Sequence, residues 1–286
     1  MPTTIRVNIS GKTRLLGVIG HPIAHSLSPR MHNAAFAADG ADYAYVAMDV
    51  LPEKLGSAVE GLSALGFVGF NVTMPHKENI IPLLDELDEP ARLSVAVNTV
   101  TIRDGRLYGT NTDGSGFVEA CAESGVEFAE KRVLLLGAGG AAAAIAVAVL
   151  GENPRELMIA NRTPSRAESL VEKVAGIDRG VGVAAIPLND AGDAVVEADV
   201  IVNTTYLGMK GYDQMPIPAN CLEPEKAVCD AVYLRGGVTK LMQEARAVGA
   251  TVVPGEKMLL YQGVQAQRAW TGREPNVEVM NDVLAQ

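Results

Sequence analysis

Residues 131–166, KRVLLLGAGGAAAAIAVAVLGENPRELMIANRTPSR, decide how this chain folds. An apolar strand over 133–136 enters Gly137-Ala138-Gly139-Gly140-Ala141-Ala142, an alanine-rich helix follows, and a second strand ends on Asn161-Arg162-Thr163. Strand, glycine turn, helix and strand in this order carry the G-x-G-x-x-G/A pattern of a dinucleotide-binding βαβ unit. Gly137 permits the tight turn, Gly139 admits a pyrophosphate close to the backbone, and Ala142 lets helix and strand pack closely. The first N–H groups of the helix, at the positive end of its dipole, then face the phosphates.

The end of the second strand selects the nucleotide. A site for NAD usually places an acid there, roughly 20 residues after the glycines, to hold the ribose 2′-hydroxyl. Here the segment reads Asn161-Arg162-Thr163-Pro164-Ser165-Arg166, with two guanidiniums and no acid. A planar guanidinium suits a 2′-phosphate because it donates several charge-assisted hydrogen bonds at once. NADP is the expected cofactor, with NAD as the alternative.

The chain has 286 residues, enough for one large domain or two medium ones. With 48% hydrophobic and 20% charged residues it has the composition of a globular protein with substantial cores. A formal net charge of −10 argues against a nucleic-acid or anionic-membrane partner. The three cysteines (Cys121, Cys221, Cys229) form no ligand-like cluster and no disulfide framework. No metal site is expected, since Pro22 lies between His21 and His25 and no carboxylate or cysteine nearby completes a set. The opening MPTTIRVNIS has neither a basic start nor an apolar core, so the expectation is a cytoplasmic protein without an export signal. Self-association as a homodimer is left open.

Strand and helix patterns alternate along the chain. Strands are expected over 15–20, 43–50 and 67–73, and helices from Ser28 as N-cap to about Gly40, over 53–65, and from Pro75 to about Leu87. Residues 96–102 and 107–110 flank Arg103-Asp104-Gly105, a hairpin signal. Beyond the glycine turn, apolar strands are expected over 157–161, 183–187, 200–204, 228–232 and 251–253. Such a βα series implies a Rossmann-type, doubly wound parallel sheet. Two final helices, 256–270 and about 275–284, add no βα unit and are expected to fold back on the first domain. The fold class is therefore α/β with two domains: an N-terminal substrate domain over 1–112 plus 255–286, and an NADP domain over 113–254.

Four polar clusters fall at strand ends, where open α/β sheets bind ligands. In residues 20–29, Ser26 and Ser28 beside a helix start make a site for a carboxylate, although a plain N-cap would also explain Ser28. In residues 69–77, Lys77 falls in the first turn of the helix expected from Pro75, where the dipole disfavours a cation, so its placement points to use in proton exchange with a hydroxyl or carbonyl oxygen. Residues 96–99 and 109–114 bring Asn98 and Asp113, an amide and a carboxylate fit for vicinal hydroxyls; each alone would also suit a turn.

Taken in order, these segments resemble the shikimate dehydrogenase family over essentially the whole chain. The family patterns G-x-P-I-x-H-S-x-S-P, N-V-T-x-P-x-K, A-x-N-T, N-T-D-G and G-A-G-G-A occur at residues 20–29, 71–77, 96–99, 111–114 and 137–141. Asn161-Arg162-Thr163, residues 203–209 and Met258-Leu259-Leu260-Tyr261-Gln262 add to the likeness. The resemblance implies that Ser26 and Ser28 hold a substrate carboxylate with Tyr233 nearby, and that Thr73, Lys77, Asn98, Asp113 and Gln262 surround ring hydroxyls. It implies Lys77 and Asp113 as the catalytic pair. For the cofactor it implies Gly137, Ala138, Gly139, Gly140, Ala141, Asn161, Arg162, Thr163, Arg166, Thr204, Gly208, Met209 and Gly255. The family usually has a small residue or proline where Thr205-Tyr206-Leu207 stands here, on the cofactor side. The implied reaction is reversible NADPH-dependent reduction of 3-dehydroshikimate to shikimate, a step towards aromatic amino acids through chorismate. A quinate/shikimate dehydrogenase using NAD is the nearer alternative, and a non-catalytic NADP sensor the remoter one.

Overall fold

The computed structural model describes residues 8–177, 180–209, 211–234 and 237–285. It divides into two compact units, one holding the residues up to Thr112 together with those from Leu259 onward, the other running Asp113–Met258. Among the described residues no helix is long and apolar enough to cross a membrane.

The first unit is built on one mixed sheet. Its strands are β1 (Arg14–Gly20), β2 (Tyr43–Asp49), β3 (Gly69–Val72), β4 (Glu86–Leu87), β5 (Thr99–Arg103) and β6 (Arg106–Thr110), in the order β2-β1-β3-β5-β6-β4. Strand β1 is parallel to both β2 and β3, whereas β5 is antiparallel to β3 and β6. The β5–β6 turn places Asp104 and Gly105 at φ 51° and 74°, the left-handed pair that matches the twist of a tight hairpin. Helices α1 (Ser28–Ala38), α2 (Leu55–Ala64) and α3 (Glu89–Ser94) complete the N-terminal part. Because side chains alternate along a strand, β1 feeds two cores. Leu16 and Val18 pack with Phe36 and Trp270, while Ile19 packs with Val59 and Phe70.

The helix expected from Pro75 to Leu87 is not formed. Residues 75–80 make turns, a single 3-10 turn spans Ile81–Leu83, and β4 follows. Pro82 falls inside the segment; it lacks an N–H and its ring opposes the carbonyl four residues back, which stops helix propagation. A short helix appears instead at α3, where the Asp88 carboxylate accepts from Ala91 N at 2.8 Å as a side-chain cap. Helix α1 starts one residue earlier than expected, with Leu27 at the N-cap position and no side-chain cap.

Two further helices follow the second unit's strands, α9 (Gly255–Thr271) and α10 (Val277–Leu284). Within the first unit, α10 packs on α1, and Trp270 of α9 donates through Nε1 to Val100 O at 3.0 Å. Gly69 makes that approach possible, since a Cβ there would collide with the Trp270 ring and Val100 O.

His32 on α1 is fully buried in this packing. Its ring stacks on Tyr45 with centroids 4.4 Å apart, and Nδ1 donates to Gln267 Oε1 at 3.0 Å. Burial lowers its pKa to about 4, against a smaller opposing effect of the Gln267 bond. The folded-state value lies below the unfolded one, so the unfolded chain takes up the proton first as pH falls. Stability contributed by neutral His32 is complete above about pH 6.5 and declines towards pH 4, by up to roughly 3 kcal/mol. A His32→Asn variant is expected to show a flatter loss of stability over that window, checked by urea unfolding midpoints at pH 7 and 4.5. Parallel acid limbs in the two proteins would rule the assignment out.

The second unit is the doubly wound sheet that the glycine turn implied. Strands β7 (Arg132–Leu136), β8 (Glu156–Asn161), β9 (Gly182–Pro187), β10 (Val200–Asn203), β11 (Ala227–Asp230) and β12 (Thr251–Val253) are all parallel, in the order β12-β11-β10-β7-β8-β9. The connecting helices are α5 (Gly140–Gly151), α6 (Pro164–Val174), α7 (Ala191–Glu197) and α8 (Lys240–Val248), with α4 (Asp113–Glu123) preceding β7. Leu134, Leu136, Ile201 and Val228 are fully buried in a core shared with Leu241 and Met242. The strand order reverses at β7, so loops leaving β8 and β10 diverge around the β7 glycine turn and open a ligand crevice there.

Candidate active site

In the first unit one buried hydrogen-bond network joins several of the expected substrate residues. The Ser28 hydroxyl bonds the Tyr45 phenol, and Tyr45 Oη donates to Asn71 Oδ1 at 2.6 Å. Asn71 Nδ2 donates to Asn98 O at 3.1 Å and to Thr99 Oγ1 at 3.0 Å. Thr112 N donates to Asn98 Oδ1 at 2.8 Å, and the Thr112 hydroxyl donates to Gln262 O at 3.1 Å. Ser28, Asn98 and Gln262 thus share one scaffold, all buried. Burial pushes the Tyr45 phenol well above its ordinary pKa, keeping it a neutral donor.

Ser26 and Thr73 lie at the C-terminal ends of the parallel strands, on the loops after β1 and β3. Ser28 N donates to Ser26 Oγ at 3.3 Å, and Thr73 N donates to Ile19 O at 2.9 Å. Gly20 leaves the room that the Thr73 methyl occupies, since a Cβ there would strike it. Lys77 is half-buried in a turn, with its carbonyl accepting from Val97 N at 2.8 Å. The turn replaces the expected helix, so a helix dipole no longer accounts for the placement of Lys77. Asp113 belongs to the second unit, where it is buried in the first turn of α4, an N-terminal position that favours a carboxylate. Tyr233 is partly buried in the loop after β11; burial and the neighbouring Glu256 carboxylate both push its phenol pKa up.

At the glycine turn, Gly137 has φ 112°, and a Cβ there would lie 2.5 Å from Thr204 Oγ1. Thr204 in turn donates to Leu136 O through both N (2.8 Å) and Oγ1 (2.7 Å), drawing the β10 loop against β7. At Gly139 a Cβ would meet nothing within 4 Å, and Ala138, Gly140 and Ala141 continue this open edge into α5. Helices α5 and α6 both begin without a side-chain cap; at α5 this leaves first-turn N–H groups for an anion, whereas α6 opens on Pro164, which has no N–H, and Arg166 N donates to Thr163 O at 3.0 Å. Asn161 Nδ2 donates to Thr163 O at 2.9 Å, which shapes the entry to α6. Arg162 and Arg166 are exposed beside that entry. These features fit a phosphate-bearing dinucleotide: the N–H groups at the start of α5, a glycine edge without side chains, and a guanidinium pair where a ribose acid would otherwise stand.

The loop after β10 has a buried anchor that sequence reading missed. Asp230 accepts from Asn203 Nδ2 (2.9 Å), Val232 N (3.0 Å) and the Thr239 hydroxyl (2.6 Å). Burial raises the Asp230 pKa while these donors oppose the rise. Asn203 Oδ1 accepts from Thr205 N and Oγ1 at 3.0 and 2.7 Å, so the carboxylate sets the loop carrying Thr204, Gly208 and Met209. Gly208 takes φ 99° and donates to Tyr212 O at 2.6 Å, and Met209 is exposed. Gly255 permits a close approach of backbone, since a Cβ there would lie 2.6 Å from Val232 O. Tyr45, Asn71, Thr99 and Thr112 were likewise missed as network members. Three of them sit inside quoted motifs beside the chosen residues, whereas Tyr45 on a strand reads as ordinary core.

Comparison with known proteins matches residues 18–100 to the shikimate dehydrogenase substrate binding domain. Residues 120–208 match shikimate / quinate 5-dehydrogenase, and residues 255–285 the shikimate 5′-dehydrogenase C-terminal domain. The shikimate dehydrogenase (NADP(+)) of Rubrobacter xylanophilus is 56% identical over 278 residues, covering 97% of each chain. A solved shikimate dehydrogenase in complex with NADP+ superposes with a TM-score of 0.91 at 42% identity, covering 99% of this chain and 98% of its own. Shikimate 5-dehydrogenase from Listeria monocytogenes, in complex with shikimate and NAD, gives a TM-score of 0.90 at 38% identity, covering 98% and 99%. Near-complete coverage of both lengths, at identities far above those of a shared fold alone, means that this chain belongs to the shikimate dehydrogenase family.

Proposed function

We propose that the chain is an NADP-dependent shikimate dehydrogenase, interconverting 3-dehydroshikimate and shikimate. The observation that carries this reading is the uncapped start of α6 with Arg162 and Arg166 beside it and no acid at the end of β8. Relatives of nearly equal length that carry the NADP(+) name support it.

Ser26 and Ser28 hold the substrate carboxylate, with Tyr233 contributing its neutral phenol. Thr73, Asn98 and Gln262 position the ring hydroxyls, their backbone and side-chain bonds keeping the group preorganised. When bound, the nicotinamide supplies or accepts the hydride at the C3 carbon. In the reducing direction the Lys77 ammonium gives a proton to the C3 carbonyl oxygen; in the oxidising direction the free amine takes the hydroxyl proton. Asp113 is the carboxylate of the proposed catalytic pair and orients the hydroxyls. Gly137, Ala138, Gly139, Gly140, Ala141, Asn161, Arg162, Thr163, Arg166, Thr204, Gly208, Met209 and Gly255 form the cofactor side.

The purified chain with shikimate and NADP is expected to raise absorbance at the reduced-nicotinamide band. Quinate and NAD, tested in the same assay, should give lower kcat/KM. Equal turnover of quinate with NAD would favour the broader quinate/shikimate activity. Tight NADP binding without turnover of any cyclic hydroxy acid would leave a sensor.

A further inference from the structure

We propose that Tyr206 is a specificity-determining residue that positions Arg162 to grip the cofactor 2′-phosphate; the inference rests on the NADP reading above. Arg162 directly follows β8 and Tyr206 lies three residues after β10, the two strands on either side of β7. Neighbouring strands run about 4.8 Å apart, so these loops leave the sheet roughly 10 Å from one another with the glycine turn between. The two side chains nevertheless meet. Arg162 Nη1 donates to Tyr206 Oη at 2.8 Å, and the guanidinium carbon stands 5.8 Å from the phenol ring centroid.

Tyr206 is a firm support for that contact. Tyr212 braces its ring edge-on, with centroids 4.8 Å apart and planes at 73°. Its carbonyl accepts from Met209 N at 3.1 Å, and the preceding Thr205 is tied through Asn203 to buried Asp230. Without this partner Arg162 is an exposed, rotamer-rich side chain that must be ordered when ligand binds. With it, one of five guanidinium N–H donors is engaged and the remaining four stay available to an anion. The phenol accepts from Arg162 and keeps its own hydrogen to donate to the same anion. Because Arg162 stands at the strand end where a ribose acid would otherwise sit, the group it serves is the one at the 2′ position.

The test is calorimetric titration of adenosine 2′,5′-bisphosphate and adenosine 5′-monophosphate, which differ only in the 2′-phosphate. The proteins are the unmodified chain, Tyr206→Phe, Arg162→Ala and the double variant. Tyr206→Phe removes only a hydroxyl from a residue 41% exposed, so the packing is retained. It is expected to shrink the preference for the bisphosphate about threefold to tenfold, the range set by ordering one long side chain. In the Arg162→Ala background the same change should have no further effect. Unaltered preference in Tyr206→Phe, equal weakening of both probes, or additive effects in the double variant would each overturn the inference alone. If the unmodified chain shows no preference for the bisphosphate, the NADP reading falls and takes the inference with it.

Discussion

Lys77→Ala is expected to lower kcat by about 10²–10⁴-fold, the usual contribution of one general acid–base group. The lysine is half-buried in a turn whose backbone carbonyl accepts from Val97 N at 2.8 Å, a bond that alanine retains. The loss should therefore appear without a matching drop in thermal midpoint. Arginine at the same position is expected to be nearly as inactive, because a guanidinium stays protonated at neutral pH and cannot exchange the proton. Steady-state kinetics with shikimate and NADP decide the matter. A Lys77→Ala protein with close to full kcat would remove the lysine from the chemistry.

The second large effect concerns the cofactor. Replacing both Arg162 and Arg166 by alanine should raise the KM for NADP by roughly two orders of magnitude and leave NAD nearly unchanged. Charge-assisted hydrogen bonds contribute about 1.5–3 kcal/mol each, and the exposure of both guanidiniums puts them near the lower end. Two such bonds account for a factor of about 100. Because the sites are exposed, the KM for NADP in the unmodified protein should also climb with ionic strength more steeply than that for NAD. Equal losses for the two cofactors would argue that the arginines serve the shared pyrophosphate instead.

Much of the architecture was legible in the chain. The second unit follows from the spacing of Gly137, Gly139 and Ala142 between two apolar strands, because each residue type meets a local steric demand. The hairpin at Asp104-Gly105 was equally readable, since few sequences tolerate two consecutive left-handed residues. The helix expected from Pro75 does not form because Pro82 interrupts it, and without that helix no dipole acts on Lys77.

What the sequence determined by itself was the βα series of the second unit, the glycine edge and the cationic strand end. All of these depend on neighbours a few residues apart. Tertiary structure alone decided which polar groups share a network: Ser28, Tyr45, Asn71, Asn98, Thr112 and Gln262 come from six separate segments of the first unit. It also brought Arg162 to Tyr206 across the turn after β7. Hydrogen bonds of this kind depend on strand order and on angstrom-level placement, and local patterns of hydrophobicity carry neither.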